Sequence, residues 1–383
     1  MKRVSSPLSI LCMAVLSAFL CACSAFGQNP DTPSLPKAPA FLSPGDRIAL
    51  ISPSYATSDE NVAKTEKILR DRGFDVVVGP NVGKVHLGRY AGTLEERLSD
   101  MRWALEDPSV KAIICNRGGY GSIHYVDKLL LDELSANPKW IVGYSDVTTF
   151  HGMETLAGVM SIHGTMSSHI AEGGDDESST MMLDLLLGKV PVYKVAPHPS
   201  NRPGHASGIL VGGNLSTFAP LLGTGADAMS LDGIIIFIEE VEESMHNIDR
   251  LFTELEMSGA LSRCKGVILG EFTDCGTEYT DLSVEDMLIS YIEKYNIPVL
   301  CGMPTGHDSV NLPIVMGSVA TIDVNEKGGT LSFGLRGRKV TVDTAPIMQR
   351  DSVKKAEALA EKQRREAALR AKCKCGAACQ CKK

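Results

Sequence analysis

The segment Val110–Ser122 (VKAIICNRGGYGS) decides the fold: an apolar run, a turn carrying three glycines, and then a return to mixed sequence. Val110–Cys115 reads as a strand. The glycines beyond it let the backbone turn tightly and approach a ligand closely, with bare N–H groups on offer. The same grammar recurs on both sides. Arg47–Ser52 (RIALIS) is an apolar run stopped by Pro53, followed by a polar, periodic stretch from Ser58 to Arg72 that Gly73 closes. Phe74–Val78 is the next strand. Thr93 opens a helix over Leu94–Glu106, with Glu96 completing a capping box. Trp140–Tyr144 (WIVGY) is a further strand. Strands that alternate with helices build βαβ units and a mostly parallel sheet, with functional atoms at the carboxyl ends of the strands.

Downstream the pattern weakens and then resumes. Glu172–Ser179 reads as an acidic loop, Met181–Leu187 as a short helix, and Pro191–Pro203 as a Pro-punctuated linker. Gly208–Val211 and Gly233–Ile238 (GIIIFI) read as strands, the second strongly apolar and buried. A helix follows over Asn247–Met257, a strand over Gly266–Leu269, a helix over Val284–Tyr295 and a strand over Ile297–Cys301. Thr321–Val324 and Leu331–Phe333 flank a hairpin turn. The expected class is α/β: an N-terminal, mostly parallel sheet flanked by helices (flavodoxin- or Rossmann-like), and a smaller, mixed, β-rich C-terminal α/β domain. The expected organisation is a signal peptide at 1–25, a tether at 26–43 and an N-terminal domain at 44–175. A linker at 176–206, a C-terminal domain at 207–347, a charged helix at 348–372 and a Cys-rich tail at 373–383 complete it.

The chain has 383 residues and a formal charge of −8. From Asp351 onward ten Lys/Arg stand against four Asp/Glu, and Lys2 and Arg3 add two cations, so residues 4–350 carry −16. So acidic a body excludes a nucleic-acid partner, which needs clustered cations. Lys2 and Arg3 before the apolar run Leu8–Leu20 form an export signal. The run is too short to span a bilayer comfortably, since about 20 apolar residues are needed. Leu20-Cys21-Ala22-Cys23 has the form of a lipoprotein box that would leave Cys23 lipidated, a membrane tether; cleavage after Ala25 is the competing reading. Either way the expected location is outside the cytoplasm, periplasmic or lipid-anchored. Cys115 and Cys301, set among apolar neighbours, read as small buried hydrophobes. Cys373, Cys375, Cys379 and Cys381 form two C-x-C units that could wrap a soft metal ion, against disulfides or a plain appendage.

Gly143-Tyr144-Ser145-Asp146-Val147-Thr148 follows a strand and begins a helix. A serine there presents its Oγ at the top of a sheet, facing the N–H groups of the incoming helix. The competing reading is that Ser145 or Asp146 merely caps that helix. Ile236–Glu243 (IFIEEVEE) places four carboxylates at the end of a buried strand, where one can orient a histidine. Gly306-His307-Asp308 precedes Asn311-Leu312-Pro313 and offers that histidine.

Taken in order, GDRIALISPS at 45–54, NRGGYGS at 116–122, GYSDVT at 143–148, IHGTM at 162–166, GGNLS at 212–216, FIEEVEE at 237–243 and GHD at 306–308 resemble the LD-carboxypeptidase family of serine peptidases. Its relatives include muramoyl-tetrapeptide carboxypeptidases and microcin C immunity peptidases. The resemblance covers roughly residues 40–345. It departs from the family pattern at Thr165, where Pro is expected, and at Glu240, where Asp is expected. It implies a triad of Ser145, Glu239 and His307, with Glu240 selected instead by a one-residue slip in the match. It also implies an oxyanion site at the N–H of Gly118 or Gly119 and of Asp146, and no cofactor. Arg117 is a candidate for gripping the substrate's free carboxylate, or equally a structural ion pair. The implied reaction releases the terminal D-alanine from peptidoglycan tetrapeptides, and the family suggests a homodimer. Two alternatives remain: a microcin-immunity-type peptidase or amidase, and a metal-binding surface lipoprotein on a hydrolase-like body.

Overall fold

The computed structural model describes residues 36–276 and 282–372, with side chains of the last helix described through Arg365. The expected signal, Cys23 and the thiols of Cys373, Cys375, Cys379 and Cys381 lie outside the described residues. Among the described residues, strands run in chain order as β1 (Arg47–Ile51), β2 (Asp75–Val78), β3 (Val110–Cys115), β4 (Trp140–Gly143), β5 (Ser161–His163), β6 (Lys189–Val195) and β7 (Gly204–Asn214). They continue as β8 (Ile234–Val241), β9 (Cys264–Thr273), β10 (Val299–Cys301), β11 (Ile314–Met316), β12 (Val319–Asn325), β13 (Gly328–Phe333) and β14 (Arg338–Asp343). The longer helices are α1 (Asp59–Asp71), α2 (Leu94–Glu106), α3 (Thr148–Leu156), α4 (Glu177–Leu186), α5 (Met245–Met257), α6 (Val284–Ile292) and α7 (Thr344–Lys372).

Helix starts follow the chemistry of their first residues. Ser58, Asp176, Ser244 and Ser283 each accept a backbone N–H from the first turn of α1, α4, α5 and α6. Thr93 and Glu96 form the reciprocal capping box that opens α2. Each such cap stabilises its helix by about 1 kcal/mol.

The strands make two sheets. One has the order β11-β5-β4-β3-β1-β2, parallel except where β11 runs antiparallel to β5. The other has the order β10-β9-β8-β7-β12-β13-β6-β14, parallel from β10 to β7 and antiparallel from β7 to β6. The mixed, two-sheet α/β architecture is the one the sequence leads one to expect. The stretch read as a linker does not hold: residues 189–195 are strand β6, and Tyr193 is fully buried with its hydroxyl donating to Pro313 O at 2.8 Å. Pro191 precedes the ladder to β13, which begins at Val192, and stands opposite Val340 in the parallel ladder to β14.

Strand β8 shows how the core is assembled. Both of its faces are apolar. Ile235 and Phe237 join a cluster with Ile48, Leu50, Ile114 and Val142 of the first sheet, while Ile234, Ile236 and Ile238 pack with Ile248, Phe252 and Leu255 of α5. Alternation at period two thus feeds an inter-sheet core on one side and a helix layer on the other. Cys115, Cys264 and Cys301 are free and buried, and burial pushes the Cys301 thiol up to about 12. Cys115 and Cys301 are the buried small hydrophobes expected, and Cys264 is likewise buried.

The consequence of this layering is that β11 carries C-terminal chain back to the edge of the first sheet, pairing Ile314 with His163 and Met316 with Ser161. Everything between β10 and β11 therefore spans the two sheets. Because Phe237 is fully buried in the inter-sheet core, Phe237→Ala is expected to cost about 3–5 kcal/mol. The check is the shift of the urea unfolding midpoint against the parent chain.

Candidate active site

Three strand ends converge. Ser145 follows β4, Glu239 lies on β8 near its carboxyl end, and His307 sits on the crossover from β10 to β11. Ser145 has φ +61, a left-handed conformation that costs a non-glycine residue on the order of 1–2 kcal/mol. Such strain persists only where neighbours over-determine it, and they do. A Cβ at Gly143 would lie 2.8 Å from Val147 Cγ2, so only glycine allows the turn to close. Asp146 is buried, and its Oδ2 accepts Ser54 Oγ at 2.5 Å and the Ser122 N–H at 2.8 Å. Ser122 Oγ in turn donates to Asp146 O at 2.5 Å. One carboxylate thus ties the loops after β1, β3 and β4 together.

Neither Ser145 nor Asp146 caps a helix with its side chain. The capping alternative fails because Asp146 turns away from α3 toward Ser54 and Ser122.

The glycine turn lies over the serine. A Cβ on Gly118 would stand 2.9 Å from Ser145 Cβ, 3.1 Å from its Oγ and 3.5 Å from the Asp146 N–H nitrogen. Gly119 has φ +112, and a Cβ there would run into the Tyr55 ring at 2.3 Å. No hydrogen bond among the described residues uses the N–H of Gly118 or Gly119, so both can serve a ligand. Arg117 is exposed and has no ion pair among the described residues; its Nη1 reaches Ala56 O at 3.4 Å.

His307 Nδ1 lies 2.7 Å from Glu239 Oε2. With Nδ1–H donating to that carboxylate, Nε2 carries the lone pair. Gly306, at φ +154, makes the approach possible, since a Cβ there would stand 3.2 Å from Glu239 Oε2. The Gly306 N–H donates to Asn311 Oδ1, and Thr305 Oγ1 to Leu312 O at 2.9 Å, so the loop is tied internally. Tyr144 meets the imidazole edge to face at 4.9 Å between ring centres. That ring belongs to the residue before Ser145 and brings the base to the serine corner. No hydrogen bond joins Ser145 Oγ to His307 in this ligand-free arrangement, in which catalytic bonds are commonly loose.

Of the adjacent carboxylates, Glu239 and not Glu240 faces the histidine. Glu240 accepts Asn214 Nδ2 at 2.8 Å and the Val241 N–H at 2.9 Å on one oxygen, and the Ser216 N–H at 2.7 Å and Oγ at 2.6 Å on the other. Burial raises its pKa. Burial by itself would lower the pKa of His307, but attraction and hydrogen bonding to Glu239, with help from Glu240 and Glu242, outweigh it and leave the net shift upward. His163, fully buried, packs between Tyr144 and Phe237, and burial holds it well below the usual range and therefore neutral. The sequence reading assigned no role to His163, Tyr144 or Ser54. His163 and Ser54 stand in quoted motifs and Tyr144 in the serine motif itself, but which side chain reaches which loop is settled only in three dimensions.

Among the described residues no cluster of His, Cys, Asp or Glu could hold a metal ion. The arrangement suits covalent acyl transfer by a serine whose proton leaves through an oriented imidazole. Gly118→Ala is expected to lower kcat/KM by about 10² through crowding of Oγ and the adjacent N–H, with the far-UV circular dichroism unchanged. Glu239→Gln is expected to lower kcat by roughly 10⁴ and to move the acid limb of kcat/KM to lower pH. The sign follows because removing the Glu239 attraction leaves burial, which lowers the imidazole pKa, opposed only by the smaller pull of Glu240 and Glu242, so the free base persists to more acidic solution. A pH–rate profile of the variant checks it.

Family models for the LD-carboxypeptidase N-terminal and C-terminal domains match residues 48–164 and 207–322. A protein of Bacillus subtilis named "Probable murein peptide carboxypeptidase" is 30% identical over 310 residues, covering 79% of this chain and 96% of the relative. The microcin C7 self-immunity protein MccF of Escherichia coli is 28% identical over 334 residues, covering 77% of this chain and 95% of the relative. The crystal structure of muramoyltetrapeptide carboxypeptidase from Oxalobacter formigenes superposes with a TM-score of 0.70 at 25% identity, covering 76% of this chain and 99% of that one. Domain models that match in the expected order, together with relatives matched along nearly their whole length, establish that the chain belongs to the LD-carboxypeptidase family and is a serine carboxypeptidase.

Proposed function

We propose that the enzyme releases the terminal D-alanine from peptidoglycan tetrapeptides, with Ser145 as nucleophile, His307 as base and Glu239 as its orienting carboxylate. The observation that carries this reading is the Glu239–His307 pair set against Tyr144, beside a strained Ser145 whose Oγ lies under the bare Cα of Gly118. The relatives named for murein and muramoyl-tetrapeptide substrates supply the substrate class.

In the first half-reaction His307 Nε2 takes the Ser145 proton as Oγ attacks the scissile carbonyl carbon, and Glu239 steadies the imidazolium. The oxyanion is received by N–H groups of Gly118 or Gly119 and Asp146, each typically lowering the barrier by about 3 kcal/mol. His307 then protonates the leaving amine, D-alanine departs, and water enters by the same proton path to hydrolyse the acyl-enzyme. Arg117, unpaired and exposed at the turn, is suited to a bidentate grip on the substrate's terminal carboxylate. Such a grip would select the terminal amide, because an internal one lacks a free carboxylate beside it.

The likeness to MccF keeps a second substrate class in view, an acyl-sulfamoyl nucleotide cleaved with the same side chains. Export, read from Lys2, Arg3 and the apolar run to Leu20, favours the wall substrate, since an exported enzyme meets peptidoglycan and not an intracellular toxin. Anchoring through a lipid on Cys23 and a homodimer belong to the same proposal. Incubation of tetrapeptide muropeptides with the mature protein, followed by mass spectrometry, should show loss of one alanine. Ser145→Ala should abolish that loss while keeping the parent's melting temperature; undiminished turnover in the variant would overturn the assignment.

A further inference from the structure

The family match ends at Ile322, yet α7 begins at Thr344 and returns to the site. Its first turns are anchored: Ile347 is buried in the inter-sheet core, and Arg350 pairs with Glu177 of α4. The next turn reaches the loop that carries His307. Ser309 Oγ donates to Asp351 Oδ1 at 2.5 Å, and Lys355 Nζ lies 2.6 Å from Asp308 Oδ2 and 2.8 Å from Asp351 Oδ2. Asp308 and Ser309 directly follow His307. From Ala356 to Arg365 the helix is almost wholly exposed, so the contact is local.

We propose that Lys355 is a positioning residue: by bridging Asp308 to Asp351 it fixes the His307 loop to α7 and so holds the imidazole on Glu239 and at Ser145. An exposed ion pair is worth little, but this one is partly sunk, with the Asp351 side chain only 10% exposed. It also answers a concentration of negative charge. Glu271, on β9 beside Gly306, stands near Asp308, Asp351 and Glu285, and burial followed by repulsion from Asp308 pushes its carboxyl up to about 7, with Lys355 opposing. Without the ammonium, Asp308 on the loop faces Asp351 on the helix and Glu271 on the strand with no counter-charge, and the loop is driven off its seat.

The inference rests on His307 being the base, and its test separates the two. In the full chain, Lys355→Ala is compared with Lys355→Arg for kcat and KM on tetrapeptide, and for exchange of the His307 Nδ1–H proton by NMR. Lys355→Ala is expected to lower kcat roughly 10-fold, in the manner of a misplaced catalytic group, with KM within about twofold because substrate contacts are untouched. The Nδ1–H proton should exchange at least about tenfold faster by the same argument, and Lys355→Arg should restore both. Parent values of kcat and exchange in Lys355→Ala, or a loss confined to KM, would overturn the proposal. Should the parent chain release no D-alanine, the substrate reading fails while the exchange rates still decide the role of Lys355.

Discussion

The site depends on the hydrogen bond between His307 and Glu239, because the segment that carries His307 is one of the connections between the two sheets. Residues 302–313 leave β10 at the edge of one sheet and deliver β11 to the edge of the other. The loop cannot move without disturbing a strand at each end. Its glycine at position 306, its internal bonds to Asn311 and Leu312, and Tyr193 bonding to Pro313 all act on one short segment. On the proposed mechanism, an imidazole held this way has its orientational entropy already surrendered in folding. The buried carboxylate of Glu239 is costly alone and is tolerated because it faces a partner that can carry the opposite charge.

The serine corner solves a complementary problem. A left-handed serine exposes Oγ but stores strain, so the surroundings must forbid relaxation. They do so with polar rather than apolar contacts: Asp146 binds Ser54 and Ser122, and Ser122 binds Asp146 in return. A wholly apolar clamp could not pin a turn whose backbone N–H groups have to remain available to an oxyanion. The same carboxylate seats the glycine turn above Oγ, so that strain, loop register and oxyanion geometry are one coupled feature.

Much of this was legible in the sequence, for reasons that can be stated. Strands β1, β3, β4 and β8 were visible because each is a short apolar run stopped by Gly, Pro or charge, and α2 because its capping box is local. Ser145, Glu239 and His307 were singled out through motifs; Glu239 bonds His307, and the ring of Tyr144, next to Ser145, packs against that imidazole. Strand β6 was read as linker because Pro191 is a strand breaker in general, and only the pairing with β13 and β14 reveals it as a strand. Neither Tyr144 as the bridge between base and serine nor Lys355 as the bridge to α7 leaves a local signal. Each is a tertiary contact between segments far apart in the chain.

The run Phe237–Glu243 shows best how position, not residue type, assigns roles. Alternation along β8 sends Phe237 into the inter-sheet core and Ile238 toward α5, and Glu239 then falls on the side facing the crossover. The pairing of β8 with β9 shifts register between Ile238 and Glu240, and the irregularity gives successive glutamates separate surroundings. Glu239 keeps one oxygen for His307 and leaves the other without a partner among the described residues. Glu240 has both oxygens filled by Asn214, Ser216 and Val241 and so braces the end of β7. Glu243 binds Asn247 in the first turn of α5. Four carboxylates that look alike in sequence thus separate into an orienting group, a brace, a capping contact and a solvated charge. Only the one with an unfilled coordination shell beside an imidazole can change its interactions as charge develops during the reaction.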